Sequence, residues 1–229
     1  MNSEVAEGKL FLWVLLLTVG LSACVTTSGV KQTNTQDDEQ NWKLRLEHFK
    51  DFDQWDIRGR VAIYVDDKVH TAGLRWIREG DQIDVVLEAP FGQGVMRILS
   101  EQQENAIVYS LKLPNQEPAF GSSPEKLLEQ LLGWSLPVSG LTDWVKAVAK
   151  VDEPYILKFN SAGYPASIQQ RGWRINYLDY EQTENSRWPL PMKMYLKHER
   201  LSLKLVIDSW QKKEPLDGTK ETIEFPGFD

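Results

Sequence analysis

The sequence predicts a mainly β domain of about ten antiparallel strands with a few short helices. Three observations predict it. From Trp55 onward apolar and polar residues alternate, a period of two that puts one side of each segment in a core. Short connections bearing Gly, Pro or Asp join the segments, too short for the crossovers that parallel strands need. Helical periodicity is confined to three short stretches.

Taken in order, the chain opens with Lys9 before the apolar run Leu10 to Gly20, followed by Leu21-Ser22-Ala23-Cys24. Eleven residues rise only about 16 Å as a helix, against a hydrocarbon core of roughly 30 Å, so residues 1–23 read as a cleaved signal peptide. Leu21-Ser22-Ala23-Cys24 resembles the bacterial lipobox, in which the thiol takes diacylglycerol as a thioether. Cys24 is therefore the expected lipid anchor, with cleavage just before it. The residue after it is Val25; Asp there is the usual enterobacterial signal for inner-membrane retention, so Val25 favours the outer membrane. Residues 24–38 are polar and nearly free of large apolar groups, a flexible tether spanning roughly 20 Å.

The folded domain is expected over residues 39–210. Trp42, Leu46, Phe49 and Phe52 recur at helical spacing and predict a first amphipathic helix. Alternation then marks strands at 55–65, 72–76, 83–87, 95–99 and 107–113, separated by Asp66-Asp67, Glu79-Gly80-Asp81, Pro90-Phe91-Gly92 and Glu104-Asn105. Ser123-Pro124 is an N-cap before a first-turn proline, and Leu127, Leu128, Leu131 and Leu132 line one face of the helix it opens. Leu141, Trp144, Val145 and Val148 mark another short helix, and the two could form a flap. Strands resume at 155–159, 167–170, 173–177, 192–196 and 201–207. Residues 211–229, charged and broken by Pro215 and Pro226, read as a loosely ordered tail.

Composition narrows the function. The formal net charge is −7, and about −6 once residues 1–23 are gone, which argues against nucleic acid as a partner. Attachment to a membrane must come from lipid rather than a polybasic segment. The lone Cys excludes an intrachain disulfide. His48, His70 and His198 lie on separate segments with no metal-ligand spacing, and neither a nucleophile elbow, a zinc-protease motif nor a phosphate loop occurs. No catalytic residue, metal or cofactor is expected. What stands out is apolar: nine tryptophans and four methionines beside helices too few to cover a long sheet. Composition leaves two readings, a filled sandwich core or a hollow under a helical cap, and favours the first.

Six segments carry a family resemblance: Trp55-Asp56-Ile57-Arg58-Gly59-Arg60, Pro90-Phe91-Gly92, Gly133-Trp134-Ser135-Leu136-Pro137-Val138, Leu141-Thr142-Asp143-Trp144, Gly172-Trp173-Arg174-Ile175-Asn176-Tyr177 and Ile207-Asp208-Ser209-Trp210. In order and spacing they resemble the LolB family of outer-membrane lipoprotein receptors. The resemblance implies an incomplete antiparallel β-barrel of about ten or eleven strands, with a helical lid over an apolar cavity, similar in fold to the carrier LolA. It implies acceptance of lipoproteins from a LolA-type periplasmic carrier and their insertion into the inner leaflet of the outer membrane without ATP. The chain departs from the family pattern after Trp144, where Val145 to Lys150 replaces a Gly-x-Pro. The chain is expected to act as a monomer facing the periplasm.

The acyl chains of one cargo lipoprotein represent tens of kcal/mol of exposure in water, at about 0.8 kcal/mol per methylene. Non-covalent affinity saturates near roughly 20 kcal/mol, so a carrier's cavity shelters part of those chains or holds them loosely. The expected cavity residues are Ile57, Val61, Ile63, Leu74, Trp76, Val85 and Leu87 on the sheet, with Leu128, Leu131, Leu132 and Trp144 on the lid. For Phe91 the local sequence leaves two placements, a ring folded onto the core or one exposed at the loop tip. The family resemblance implies the second, with Phe91, flanked by Pro90 and Gly92, entering the bilayer.

Overall fold

In a computed structural model, residues 36–104, 106–184 and 186–211 are described. The expected signal peptide, Cys24 and the tail from 212 onward lie outside them. The first helix, α1 (Gln36–Lys50), starts inside the segment expected as tether. Asp37, Asp38 and Glu39 stand in its first turn and His48 and Lys50 in its last, charges placed to complement the helix dipole. That favourable placement extends the helix over residues 36–38.

Eleven strands follow: β1 (Gln54–Val65), β2 (Lys68–Glu79), β3 (Gln82–Glu88), β4 (Val95–Gln103), β5 (Ala106–Lys112), β6 (Ala119–Gly121), β7 (Tyr155–Phe159), β8 (Pro165–Gln170), β9 (Trp173–Glu181), β10 (Leu190–His198) and β11 (Leu201–Gln211). Helices α2 (Pro124–Leu132) and α3 (Val138–Trp144) lie between β6 and β7. All pairings are antiparallel, in the order β6-β5-β4-β3-β2-β1-β11-β10-β9-β8-β7. The chain thus steps outward from β1 to one edge, crosses to the other edge through α2 and α3, and returns inward until β11 pairs with β1. This is one open antiparallel sheet, a barrel left unclosed between β6 and β7. Because the crossover must travel from edge to edge, the helices are carried over one face. The alternation found ten of these strands; β6, only three residues long, is too short to display a period.

At the centre, the pairing of β1 with β11 shifts register between Arg58 and Gly59. A Cβ on Gly59 would lie 2.2 Å from the carbonyl oxygen of Val206, backbone that cannot turn aside. Only glycine fits this bulge.

The inner face is the apolar one, and the helices pack on it unequally. Over β7–β10, α1 lays down Trp42 against Tyr155 and Phe159, with the Trp42 indole donating to the Tyr155 hydroxyl at 3.0 Å. Two buried cations then lock α1 to the end of α3. Arg45, 2% exposed, donates to the carbonyls of Lys146, Ala147 and Pro189, with its guanidinium 4.7 Å from the Phe49 ring centre. In return the Lys146 ammonium donates to the carbonyls of Phe49 and Phe52 and lies 3.6 Å from Asp143. Arg45 thus satisfies the Lys146 and Ala147 carbonyls just past the end of α3, and Lys146 those of Phe49 and Phe52 at the C-terminal end of α1. Burial pushes the pKa of both groups down, opposed at Lys146 by Asp143.

The same lock corrects one expectation. The second short helix stops at Trp144, with Val145 in the turn that follows and Val148 in irregular chain beyond it. Ala147 takes φ 52 there, and its carbonyl is turned to Arg45. This is the segment where the sequence departs from the family pattern.

Candidate functional site

An apolar cavity of about 60 Å³ lies between α3 and the sheet. Its walls are Val61 and Ile63 of β1, Leu74 and Trp76 of β2, Val85 and Leu87 of β3, Met96 and Ile98 of β4, and Leu203 and Leu205 of β11. Leu136, Val138 and Leu141 form the roof. The register explains the grouping: Val85 faces Ile98, Leu87 faces Met96, Val61 faces Leu205 and Ile63 faces Leu203 across paired strands. Every lining side chain is apolar. A volume of this size holds a few water- or methylene-sized groups and no whole acyl chain, so admission of one requires the roof to move.

Six of the seven sheet residues expected from sequence line this space: Val61, Ile63, Leu74, Trp76, Val85 and Leu87. Ile57 does not. It is fully buried, with Trp76 and Trp210 as its partners on the adjacent strands. None of the four expected lid residues lines it either. Leu128 is fully buried in the packing of α2, Leu132 is half-buried against the core, and Leu131 is 39% exposed. Trp144 is buried against β8 and β9, where its indole donates to Gln170 at 3.1 Å and its carbonyl accepts from Tyr177 at 2.9 Å. The real roof is Leu136 and Val138 with Leu141. The run 134–138 is apolar but proline-broken in sequence and has no period to read, and Met96, Ile98, Leu203 and Leu205 are found only once cross-strand register is known.

The roof is tied to its surroundings away from the cavity. Ser123 caps α2 by accepting from the Lys126 N–H, and its hydroxyl donates to Glu125 at 2.8 Å. Glu125 also accepts from the Ser139 N–H at 2.9 Å, joining α2 to the first turn of α3. Burial raises the pKa of Glu125, but the hydrogen bonds from Ser139 and Ser123 outweigh it and hold the carboxyl below its ordinary value of 4.5.

Phe91 stands at the tip of the turn joining β3 to β4, two strands of the cavity wall. It is 99% exposed and adopts φ 58, ψ 26. The turn is well defined: Ala89 N–H donates to the Gly94 carbonyl at 2.9 Å and Gln93 N–H to the Pro90 carbonyl at 3.3 Å. Gly92 takes φ 70, and Gly94, at φ 148, lies against Pro114 where a Cβ would meet the ring at 2.5 Å. A left-handed conformation costs a non-glycine residue on the order of 1 kcal/mol. Here it holds a large ring in solvent, so neither the backbone nor the side chain stabilises the fold.

Of the histidines, His70 is exposed, His48 contacts Ser186 at 3.2 Å, and His198 stacks on Trp173 at 5.2 Å between ring centres. Among the described residues there is no cluster of three or more His, Cys, Asp or Glu able to hold a metal, and no helix long and apolar enough to cross a membrane.

Comparison with known proteins places this geometry. The family described as Outer membrane lipoprotein LolB matches residues 53–210. The outer-membrane lipoprotein LolB of Nitrosococcus oceani is 34% identical over 199 residues, 86% of this chain and 95% of that one. That of Pseudomonas paraeruginosa is 33% identical over 206 residues, 90% of this chain and 97% of its own length. Among solved structures, a DUF1329 family protein from Desulfovibrio piger superposes with a TM-score of 0.49 at 12% identity, covering 80% of this chain and 95% of that one. With a family match over most of the domain and relatives above 30% identity along nearly their whole length, the chain belongs to the LolB family of outer-membrane lipoproteins.

Proposed function

We propose that this chain is the outer-membrane receptor for lipoproteins, taking them from a LolA-type periplasmic carrier and inserting them into the inner leaflet of the outer membrane. One juxtaposition carries the reading: a wholly apolar cavity, with a fully exposed Phe91 on the turn between two of its wall strands. Acyl chains have no hydrogen-bonding groups along their length, and a cavity without polar lining asks for none. The roof over it, Leu136, Val138 and Leu141, is aliphatic and must lift to admit a chain. Phe91 dips into the headgroup and acyl boundary, where an aromatic ring is at home, and offers cargo a path from cavity to bilayer. Lipid on Cys24 keeps the domain beside that bilayer, and the polar segment after it lets the domain turn. Transfer is downhill from carrier to receptor to membrane and needs no nucleotide.

The test is reconstitution with purified carrier, receptor and liposomes, following cargo among the three. Phe91→Glu should accept cargo normally and fail to insert it, so that cargo accumulates on the receptor, while Phe91→Leu should be nearly silent. Normal insertion by the Glu variant contradicts the role of Phe91. Failure of the wild-type chain to accept cargo at all contradicts the receptor reading and favours a structural lipoprotein.

A further inference from the structure

The outer face of the sheet, away from the helices, carries an excess of cations on a chain of net charge −7. Alternation puts Trp173 and Ile175 of β9 inward and Arg174 outward, and Arg174 lies directly opposite Lys197 of β10. One row further on, Lys158 of β7, Ser167, Asn176, Tyr195 and Lys204 of β11 follow each other across five paired strands. Arg174, Lys197, Lys158 and Lys204 are all exposed, and none is within ion-pair distance of a carboxylate among the described residues. Like charges directly opposite one another on adjacent strands destabilise a sheet. The arrangement calls for an external anion.

Beside the Arg174–Lys197 pair lies an open groove of about 550 Å³, walled by Ile156, Trp173, Arg174, Lys197 and His198, with Glu199 as the one carboxylate on its lining. Ile156 is 59% exposed, so the groove joins an apolar edge to a cationic floor. The Arg174 row continues through Ser202 and Tyr64 to Val69, at the start of β2, beside which the Phe91 turn is placed. The Arg174 row and the exposed ring therefore lie toward the same end of the sheet.

We propose that this face docks on a bilayer through anionic phospholipid headgroups, with Arg174, Lys197, Lys158 and Lys204 meeting the phosphates and the groove seating one headgroup. The charge is complementary, and the bilayer is the permanent neighbour of a lipoprotein. Docking would hold the Phe91 end of the sheet at the surface, a restraint that a flexible tether cannot supply. The proposal rests on the reading of this chain as a receptor that works at a membrane, and not on the role given to Phe91.

The experiment uses the full lipidated chain in vesicles containing dansyl-phosphatidylethanolamine and measures energy transfer from its tryptophans. Phosphatidylcholine vesicles are compared with vesicles holding about 30 mol% phosphatidylglycerol; transfer should be about twofold higher in the second and fall to the first level near 0.5 M salt. R174E/K197E/K204E should show no lipid dependence while keeping its far-ultraviolet dichroism and melting curve, and R174K/K197R should behave as wild type. Should the triple variant misfold, R174Q/K197Q replaces it with at least half the lipid dependence lost. Phe91→Glu should keep the dependence on phosphatidylglycerol, whatever becomes of insertion. Equal transfer in both vesicles, or a folded triple variant that matches wild type, overturns the proposal. So does a triple variant with unchanged lipid dependence that no longer accepts cargo from the carrier, since the face would then serve an acidic protein.

Discussion

On either side of the β1–β11 pairing, the two arms of the sheet bury their inner faces by different means. Over β7–β10 the covering is aromatic and hydrogen-bonded: Trp42 to Tyr155, Tyr177 to the Trp144 carbonyl, Gln170 to Trp144 and Lys150, Arg45 to three carbonyls. Over β1–β4 the covering is Leu136, Val138 and Leu141, and a gap remains beneath them. Among the described residues, no hydrogen bond joins residues 136–141 to β1–β4; those they make run to α2, within α3 and the turns at its two ends, or to Arg171. Directional bonds fix a single arrangement, whereas dispersion contacts between aliphatic groups re-form after a shift. One arm is built to stay shut and the other to open.

The strongest challenge to this contrast is Arg45→Met. It keeps the length of the side chain but strands three buried carbonyls, each at a cost of about 1–3 kcal/mol, so unfolding in urea should show a loss on the order of 4 kcal/mol. A loss below about 1 kcal/mol would mean that the closed arm is not held by this lock. On the other arm, Leu141→Ala should cost under about 2 kcal/mol, below the usual range for a buried leucine, because one side of it already faces a void. It should also bind a fluorescent fatty acid at least as well as wild type, and weaker binding would argue that the roof contacts are needed in the closed form. Phe91→Glu should change stability by no more than about 0.5 kcal/mol, since the ring touches nothing that unfolding would expose.

The smallest effect concerns the tie between α2 and α3. The folded pKa of Glu125 lies below its unfolded value near 4.5, so its contribution is complete above that pH and is lost as pH falls through the lower folded value. Glu125→Gln should therefore lower stability slightly at neutral pH and flatten the acid side of the profile, the two proteins converging as pH falls through the folded pKa. An unaltered acid limb would show that the carboxylate does not join the two helices.

Much of this architecture is legible in the sequence because alternation and turn residues are local. Ten strands follow from them, and with them six of the sheet residues around the cavity. The roof is not legible in the same way. Leu128, Leu131 and Leu132 form a helical stripe, yet Leu128 and Leu132 serve the packing of α2 and Leu131 is exposed, and a helix pattern does not say which neighbour its apolar face meets. Leu136 and Val138 flank Pro137 in a stretch with no period to read, and they reach the cavity only through the edge-to-edge crossover. Arg45 was equally hidden, for nothing near it in sequence says that its partners are carbonyls about a hundred residues away. The placement of Phe91 was open on local grounds, and the fixed turn around it, with positive φ at Phe91 and Gly92, puts its ring in solvent.

The central claim is that acyl chains enter under the roof of the β1–β4 arm and leave the β7–β10 arm undisturbed. It is tested most directly by loading the receptor with a lipoprotein whose acyl chain carries a diazirine, irradiating, and locating the adducts by peptide mass spectrometry. The account predicts adducts on cavity walls such as Leu74, Met96 and Leu205 and on the roof at Leu141, and none on Ile168 or Ile175. Adducts on those two buried residues, or on the outer face alone, would contradict it.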